Sequence, residues 1–310
     1  LLIMNIIFAV SPDPSAKILK RLYLDGINIS LVISQPDKRS KRGSSTDPSE
    51  VSIVAQELNL RTIKPLDLND PDFKSLVQSL DVDFVVVSAY GKIIPQWLLE
   101  HPNKLPINIH FSLLPKYRGA SPIQSVLISG EFETGISFMK MNERMDEGDI
   151  IKTLPMEIHT KDNKDELEDR LSDLAANNIN AILKDVLADN FRLETQDEVL
   201  ATYCSKIKKV DGEINFKESS EVILRKFNAY KGWPGSYFLH KEIMVKVHAM
   251  HIDNSNYDAE PGSILNFDKL GILVKTYNSA IVITYLQFPN KKSISTSDAI
   301  NSYLSFFTRL

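Results

Sequence analysis

Short apolar runs alternate with amphipathic stretches over the first third of the chain. Residues 5–10, 29–34, 82–89 and 107–111 are apolar with little polar alternation, the pattern of strands buried on both faces. Between them, residues 15–24, 48–58 and 73–80 repeat apolar positions at helical spacing and are predicted to be helices. Buried strands separated by helices predict an α/β fold with a doubly wound, largely parallel sheet. In such sheets ligands sit outside the carboxyl ends of the strands, so the residues closing runs 82–89 and 107–111 are the first place to look for chemistry.

The helical pattern returns at residues 164–189, where Leu167, Leu171, Leu174, Ile182, Leu183, Val186 and Leu187 recur on one face with no proline between them. This predicts a single long amphipathic helix packed on the sheet. A polar passage follows at residues 189–202, and beyond it the pattern shortens to strand-like segments at 243–251, 263–265, 271–276 and 281–286. Strands at this spacing predict a small all-β barrel or sandwich. The expected division is a first domain over residues 1–189, a linker over 190–206 and a second domain over 207–310.

Composition narrows the class. The 310 residues are 43% hydrophobic and 25% charged, with 12 Gly and 15 Pro, which excludes collagen-like and largely disordered chains. The net charge of −4 argues against a protein that coats nucleic acid by charge alone. The charge is uneven, however: residues 207–310 hold 13 Lys and Arg against 10 Asp and Glu, a balance of +3, which leaves −7 on residues 1–206. A single cysteine, Cys204, excludes an internal disulfide, the lack of a CxxC pair excludes a zinc finger or ribbon, and the expected compartment is the reducing cytoplasm. No apolar run reaches the ~18–20 residues of a membrane span, and no membrane partner is expected. The opening segment lacks a basic stretch and a cleavage site and reads as a first strand rather than a signal. The first methionine is Met4, and residues 1–3 are given no function.

Three places could carry chemistry. Asn108 and His110 lie two apart at the end of a predicted strand, so their side chains share a face at the ligand edge of the sheet. An imidazole that exchanges a proton near neutrality, beside a neutral amide donor, suits acyl transfer: one group manages protons and the other steadies an oxyanion. The alternative is a hydrogen-bonded pair that merely closes the strand. In Met145-Asp-Glu-Gly-Asp149 a glycine-containing turn presents Asp146 and Asp149, and a carboxylate near His110 would orient the ring and order a water. Here the alternative is an acidic surface turn. The third place is the polar loop at 35–48, where Lys38, Arg39, Lys41 and Arg42 fall within five residues and could grip a phosphate backbone or simply be solvated. The six histidines are scattered, with no HExxH or His-x-His ligand set, and no metal is expected. The turn after the first strand, Ala9-Val-Ser-Pro12, lacks the glycines that a dinucleotide requires.

The combination Asn108-Ile-His110, Ser112-Leu-Leu-Pro115, Arg118-Gly119 and Met145-Asp-Glu-Gly-Asp149 resembles the folate-dependent formyltransferases, most closely those acting on methionyl-tRNA. Further matching residues are Gln35-Pro-Asp37, Arg42-Gly43, Ala89-Tyr-Gly91, Thr202-Tyr203, Phe227-Asn228 and Trp233-Pro234. The resemblance implies a Rossmann-like formyltransferase domain with a parallel-rich sheet, followed by a small OB-like β-barrel domain that binds tRNA. It implies 10-formyltetrahydrofolate as donor, the α-amino group of initiator methionyl-tRNA as acceptor, and action as a monomer. It implies Asn108, His110 and Asp146 as the catalytic trio, and Ala89, Tyr90, Gly91, Ser112, Leu113, Leu114 and Pro115 along the folate site. Lys38, Lys41 and Arg42 in the loop, with Lys206, Lys208 and Lys209 at the start of the second domain, are the implied tRNA contacts.

Three departures from the family pattern stand out. Val10-Ser11 replace a common Gly-Thr, Phe111 replaces a glycine and narrows the expected pocket, and Ser44-Ser45 replace lysines. Two rival readings are a sugar-nucleotide N-formyltransferase using the same donor and a noncatalytic RNA-binding protein. The basic loop and the match through the second domain disfavour the sugar reading, and the agreement of three motifs in spacing disfavours the noncatalytic one.

Overall fold

The structure is a computed structural model that describes residues 4–10, 15–36, 38–39 and 46–308. The first part of the chain runs β1 (Asn5–Val10), α1 (Ser15–Leu24), β2 (Asn28–Ser34), the short pair β3 (Lys38–Arg39) and β4 (Thr46–Asp47), α2 (Glu50–Glu57), β5 (Thr62–Ile63) and α3 (Pro71–Gln78). It continues through β6 (Phe84–Ser88), α4 (Gln96–Leu99), β7 (Leu105–His110), β8 (Arg118–Gly119), α5 (Pro122–Ser129), β9 (Glu133–Lys140), β10 (Ile150–Glu157), α6 (Lys164–Leu187) and β11 (Tyr203–Cys204). The helices start where the local chemistry says they should. Ser49 caps α2, and Asp70 accepts from the Phe73 amide at 2.9 Å with Pro71 opening α3.

The main sheet has the order β10-β9-β7-β6-β1-β2-β5. From β7 to β5 all neighbours are parallel, while β9 pairs antiparallel with both β7 and β10. The expected parallel-rich α/β sheet is therefore present, and β9, which carries no helical or alternating signature, completes it. One face of the sheet places Ile7, Ala9, Leu31, Ile33, Val85 and Val87 in a core with Phe73, Val77 and Leu98. Burying each such side chain contributes roughly 1.5–3 kcal/mol. Alternate residues Ile6, Phe8, Val32, Phe84 and Val86 are equally buried on the other face. The long helix α6 buries Leu167, Leu171, Ile182, Leu183 and Val186 as its periodicity predicts, and its Asp169 and Asp173 pair with Lys17 of α1.

By internal contacts the chain forms two units. The first comprises Leu1–Pro122, Phe132–His159 and Glu166–Ser205, the second Ile123–Glu131, Thr160–Asp165 and Lys206–Leu310. The second unit contains α7 (Ser220–Ala229), β12 (Ser236–His240), β13 (Ile243–Asp253), β14 (Ile264–Asp268), β15 (Gly271–Lys275), β16 (Ala280–Gln287), β17 (Ile294–Ser295) and α8 (Thr296–Phe307). Its strands pair antiparallel in the order β12-β13-β16-β15-β14, with β17 on β16. This is the expected antiparallel domain, but it is not all-β. α7 and α8 add Ile223, Ala299 and Phe307 to a core built on Val245, Val247, Ile272, Ile281 and Ile283. Phe307 meets Phe267 and Phe288 at ring distances of 5.3 and 6.0 Å. Among the described residues no helix is long and apolar enough to cross a membrane.

Candidate active site

The carboxyl ends of β6 and β7 lie side by side, with Val87 opposite Asn108 and Ser88 opposite Ile109. On its other edge β7 is held by β9, which sets Asn108 against Met139 and His110 against Ser137. Both side chains are largely buried, Asn108 at 8% and His110 at 5% exposure. They meet at Asp146. Its Oδ1 accepts from Asn108 Nδ2 at 3.2 Å, and its Oδ2 accepts from the Gly119 amide at 2.9 Å and lies 3.6 Å from His110 Nδ1. His110 Nε2 lies 2.9 Å from the Tyr117 carbonyl and donates to it, since a carbonyl only accepts. Both nitrogens of the ring thus face acceptors. Asp149, the other carboxylate of the turn, accepts from Thr195 Oγ1 at 3.0 Å instead.

The turn that carries Asp146 requires a glycine at 148, where a Cβ would stand 1.8 Å from the Lys140 carbonyl oxygen. Asp146 itself has φ of +56°.

A cavity of about 400 Å³ opens beside the trio. Its lining includes Val87, Ile94, Phe111 and Met139, the 89–91 turn after β6, and the residues leading into Asp146. The Gln35 side chain donates to the Tyr90 carbonyl and so ties that turn to the end of β2. The Tyr90 phenol is buried, which pushes its pKa up to about 12, and its hydroxyl has no hydrogen-bond partner among the described residues. The phenol therefore remains a neutral donor over the physiological range.

Of the residues expected along the folate site, Ala89, Tyr90 and Gly91 line this cavity, whereas Ser112, Leu113, Leu114 and Pro115 do not. The reason is local. Ser112 Oγ donates to the Lys116 carbonyl, Ser137 Oγ bridges the Ser112 carbonyl and the Leu114 amide, and Leu114 packs with Met139 and Ile150. The segment is a turn with Leu114–Pro115 in cis, in which the Ser112 and Leu114 side chains are held by their neighbours. Phe111 lines the cavity. Val10 is buried at the end of β1, and Ser11 lies outside the described residues. So do Lys41, Arg42, Ser44 and Ser45, while Lys38 belongs to the backbone pair β3–β4. Lys206, Lys208 and Lys209 are exposed. Among the described residues no group of three or more His, Cys, Asp or Glu could hold a metal ion.

Gln196 and Glu198, beside the site, carry no motif signal, and the motif matches at Arg118 and Tyr203 do not give the partners of those two residues. Arg118 is fully buried and donates from Nε to Gln196 Oε1, from both terminal nitrogens to Glu198, and from Nη1 to the Tyr203 hydroxyl. The Glu198 hydrogen bonds raise the Arg118 pKa above its usual value, and the same bonds hold Glu198 below the usual carboxylate range. A buried cation must be paired, and Glu198 supplies the partner carboxylate. Nothing in the sequence located that acid 80 residues away.

Two family models match the chain: formyl transferase over residues 4–183 and formyl transferase, C-terminal domain, over residues 206–304. A methionyl-tRNA formyltransferase from Finegoldia magna is 37% identical over 298 residues, 96% of each chain. Among solved structures, HypX from Aquifex aeolicus in complex with tetrahydrofolic acid matches with a TM-score of 0.64 at 16% identity over 99% of this chain. The match takes in 48% of HypX, so this chain spans about half the length of that protein. An N-formyltransferase from Helicobacter canadensis, in complex with folinic acid and dTDP-3-aminofucose, has a TM-score of 0.64 at 16% identity over 93% of this chain and 100% of its own. At these identities the two structures speak for the fold.

Proposed function

The chain belongs to the formyl transferase family, and we propose that it transfers the formyl group of 10-formyltetrahydrofolate to the α-amino group of initiator methionyl-tRNA. The observation that carries this reading is the 37% identity, over 96% of both chains, to a methionyl-tRNA formyltransferase. The cavity fits such a donor. Apolar walls at Val87, Ile94, Phe111 and Met139 suit a flat aromatic ring. Ala89, Tyr90 and Gly91 would hold the donor, with Ser112, Leu113, Leu114 and Pro115 in the turn that follows Phe111. When bound, the donor supplies an electrophilic formyl carbon.

The acceptor amine, with a reference pKa of ~7.7–8.0, sheds its proton near neutrality with modest help. Asn108 gives one amide hydrogen to Asp146, and the other remains to donate to the oxygen on which charge develops. His110 provides a second donor by exchanging the Tyr117 carbonyl for that oxygen. Asp146 holds both groups and, through water, helps move the amine proton to the tetrahydrofolate nitrogen that departs as its bond to the formyl carbon breaks. No metal ion enters this scheme. The same reading makes residues 207–310 a tRNA-binding domain, with Lys206, Lys208, Lys209, Lys38, Lys41 and Arg42 as contacts, in a cytoplasmic monomer.

The test is to offer the protein 10-formyltetrahydrofolate with charged initiator tRNA, charged elongator tRNA and an amino-sugar nucleotide. Formylation of the initiator tRNA is expected. Formylation of the sugar nucleotide alone overturns the reading, and the likeness to the aminofucose-bound enzyme makes that control worth including.

A further inference from the structure

Residues 142–145 are exposed, and Asp146 follows them with a left-handed backbone that a non-glycine residue adopts only at a cost. Its position is imposed by residues far away in the chain. Gln196, at 6% exposure, donates from Nε2 to the Asp146 carbonyl at 2.8 Å and to the Gly148 carbonyl at 2.7 Å. Its Oε1 accepts from Arg118 Nε at 3.0 Å, and because a guanidinium only donates, the amide has one possible orientation. On either side of this contact, Glu194 and Ile150 exchange backbone hydrogen bonds at 2.8 and 2.9 Å, and Thr195 holds Asp149. Residues 194–196 therefore stitch the whole 146–150 turn. The carboxylate end is tied as well, because the Gly119 amide that binds Asp146 Oδ2 is next in sequence to Arg118.

We propose that Gln196 is a positioning residue for formyl transfer: with Arg118 fixing its amide, it sets the backbone of Asp146 so that the carboxylate meets Asn108 and His110. The proposal rests on the reading of formyl transfer given above. A plain tether would hold the chain without acting through Asp146, and that difference is measurable. Gln196→Met keeps the length of the side chain and removes both donors. It is expected to lower kcat by about 10- to 100-fold, the scale of an ångström-level misplacement, with KM for either substrate changed by no more than about threefold.

In an Asp146→Asn background the same substitution is expected to add almost nothing, because two residues acting through one group are not additive. An equal loss in both backgrounds overturns the proposal. Gln196→Glu keeps the Arg118 partner but presents acceptors to two carbonyls, so it is expected to be as impaired, and a wild-type rate in this variant overturns the proposal too. Backbone hydrogen exchange over residues 142–149 needs no substrate and is expected to quicken in Gln196→Met and Gln196→Glu. Unchanged exchange overturns the clamp, whereas a wild-type protein that formylates no acceptor overturns only the functional reading.

Discussion

Asp146 meets an amide, a ring nitrogen and a backbone N–H with two oxygens, so its carboxylate is the junction through which Asn108, His110 and Gly119 sense one another. Asn108 is the member best placed to give a hydrogen bond to developing charge. Asn108→Ala is expected to lower kcat for formyl transfer by about 10²–10³-fold, the usual cost of losing one such donor, while folate binding persists. A steady-state assay with the folate affinity measured alongside checks this, and a loss below about threefold would remove Asn108 from the chemistry. The shared face of Asn108 and His110 was legible from their spacing on a strand. The bonds that use it were not, because the Tyr117 carbonyl comes from a left-handed residue seven positions on, and Asp146 is 38 residues from Asn108. The same limit applies to Ser112. Its place in a motif suggested a ligand contact, and nothing in the motif showed that its hydroxyl donates within its own turn, to the Lys116 carbonyl.

Elements with a strong period were legible almost to the residue. β1 and α1 coincide with residues 5–10 and 15–24, and α6 ends two residues before the predicted limit. α7 and α8 went unread because their apolar faces are short and broken by polar residues. Their caps were nevertheless available: Ser219 accepts from the Val222 amide, and Ser295 from the Asp298 amide. The segment over 194–204 illustrates the opposite limit. It is polar and aperiodic, and its order comes from partners 44 to 87 positions distant rather than from propensity.

Glu198 gives that segment a pH dependence of known sign. Its folded pKa is depressed by Arg118, so its contribution is fully present above its ordinary value of 4.5 and disappears as pH falls through the lower folded value. Glu198→Gln is therefore expected to melt below wild type at pH 6, with the gap closing as both are acidified below about pH 4. A gap that is constant across that range would show that the ion pair is not its source.

Across the whole molecule, charge separates the two ends of the chain more clearly than the net value suggests, with −7 before residue 207 and +3 after it. The boundary itself is marked by exposed Lys206, Lys208 and Lys209. Each of these that meets a phosphate contributes roughly 0.7–0.9 to the slope of log affinity against log salt. Replacing all three with alanine is expected to flatten that slope for initiator tRNA by up to about 2–3 without altering folate affinity. Titrations at several salt concentrations check this, and an unchanged slope would place the phosphate contacts elsewhere.

The pairing of β11 with β8 carries one more consequence, for how the molecule can be dissected. The polypeptide leaving the catalytic fold is first threaded back through it. A piece ending at Leu187 keeps all seven strands of the main sheet together with Asn108, His110 and Asp146, yet lacks the amide and the strand that seat the last of them. The working seam lies after Ser205. A protease nick between 187 and 196 is expected to loosen the hold on the 146–150 turn while leaving Asn108, His110 and Asp146 on the larger piece.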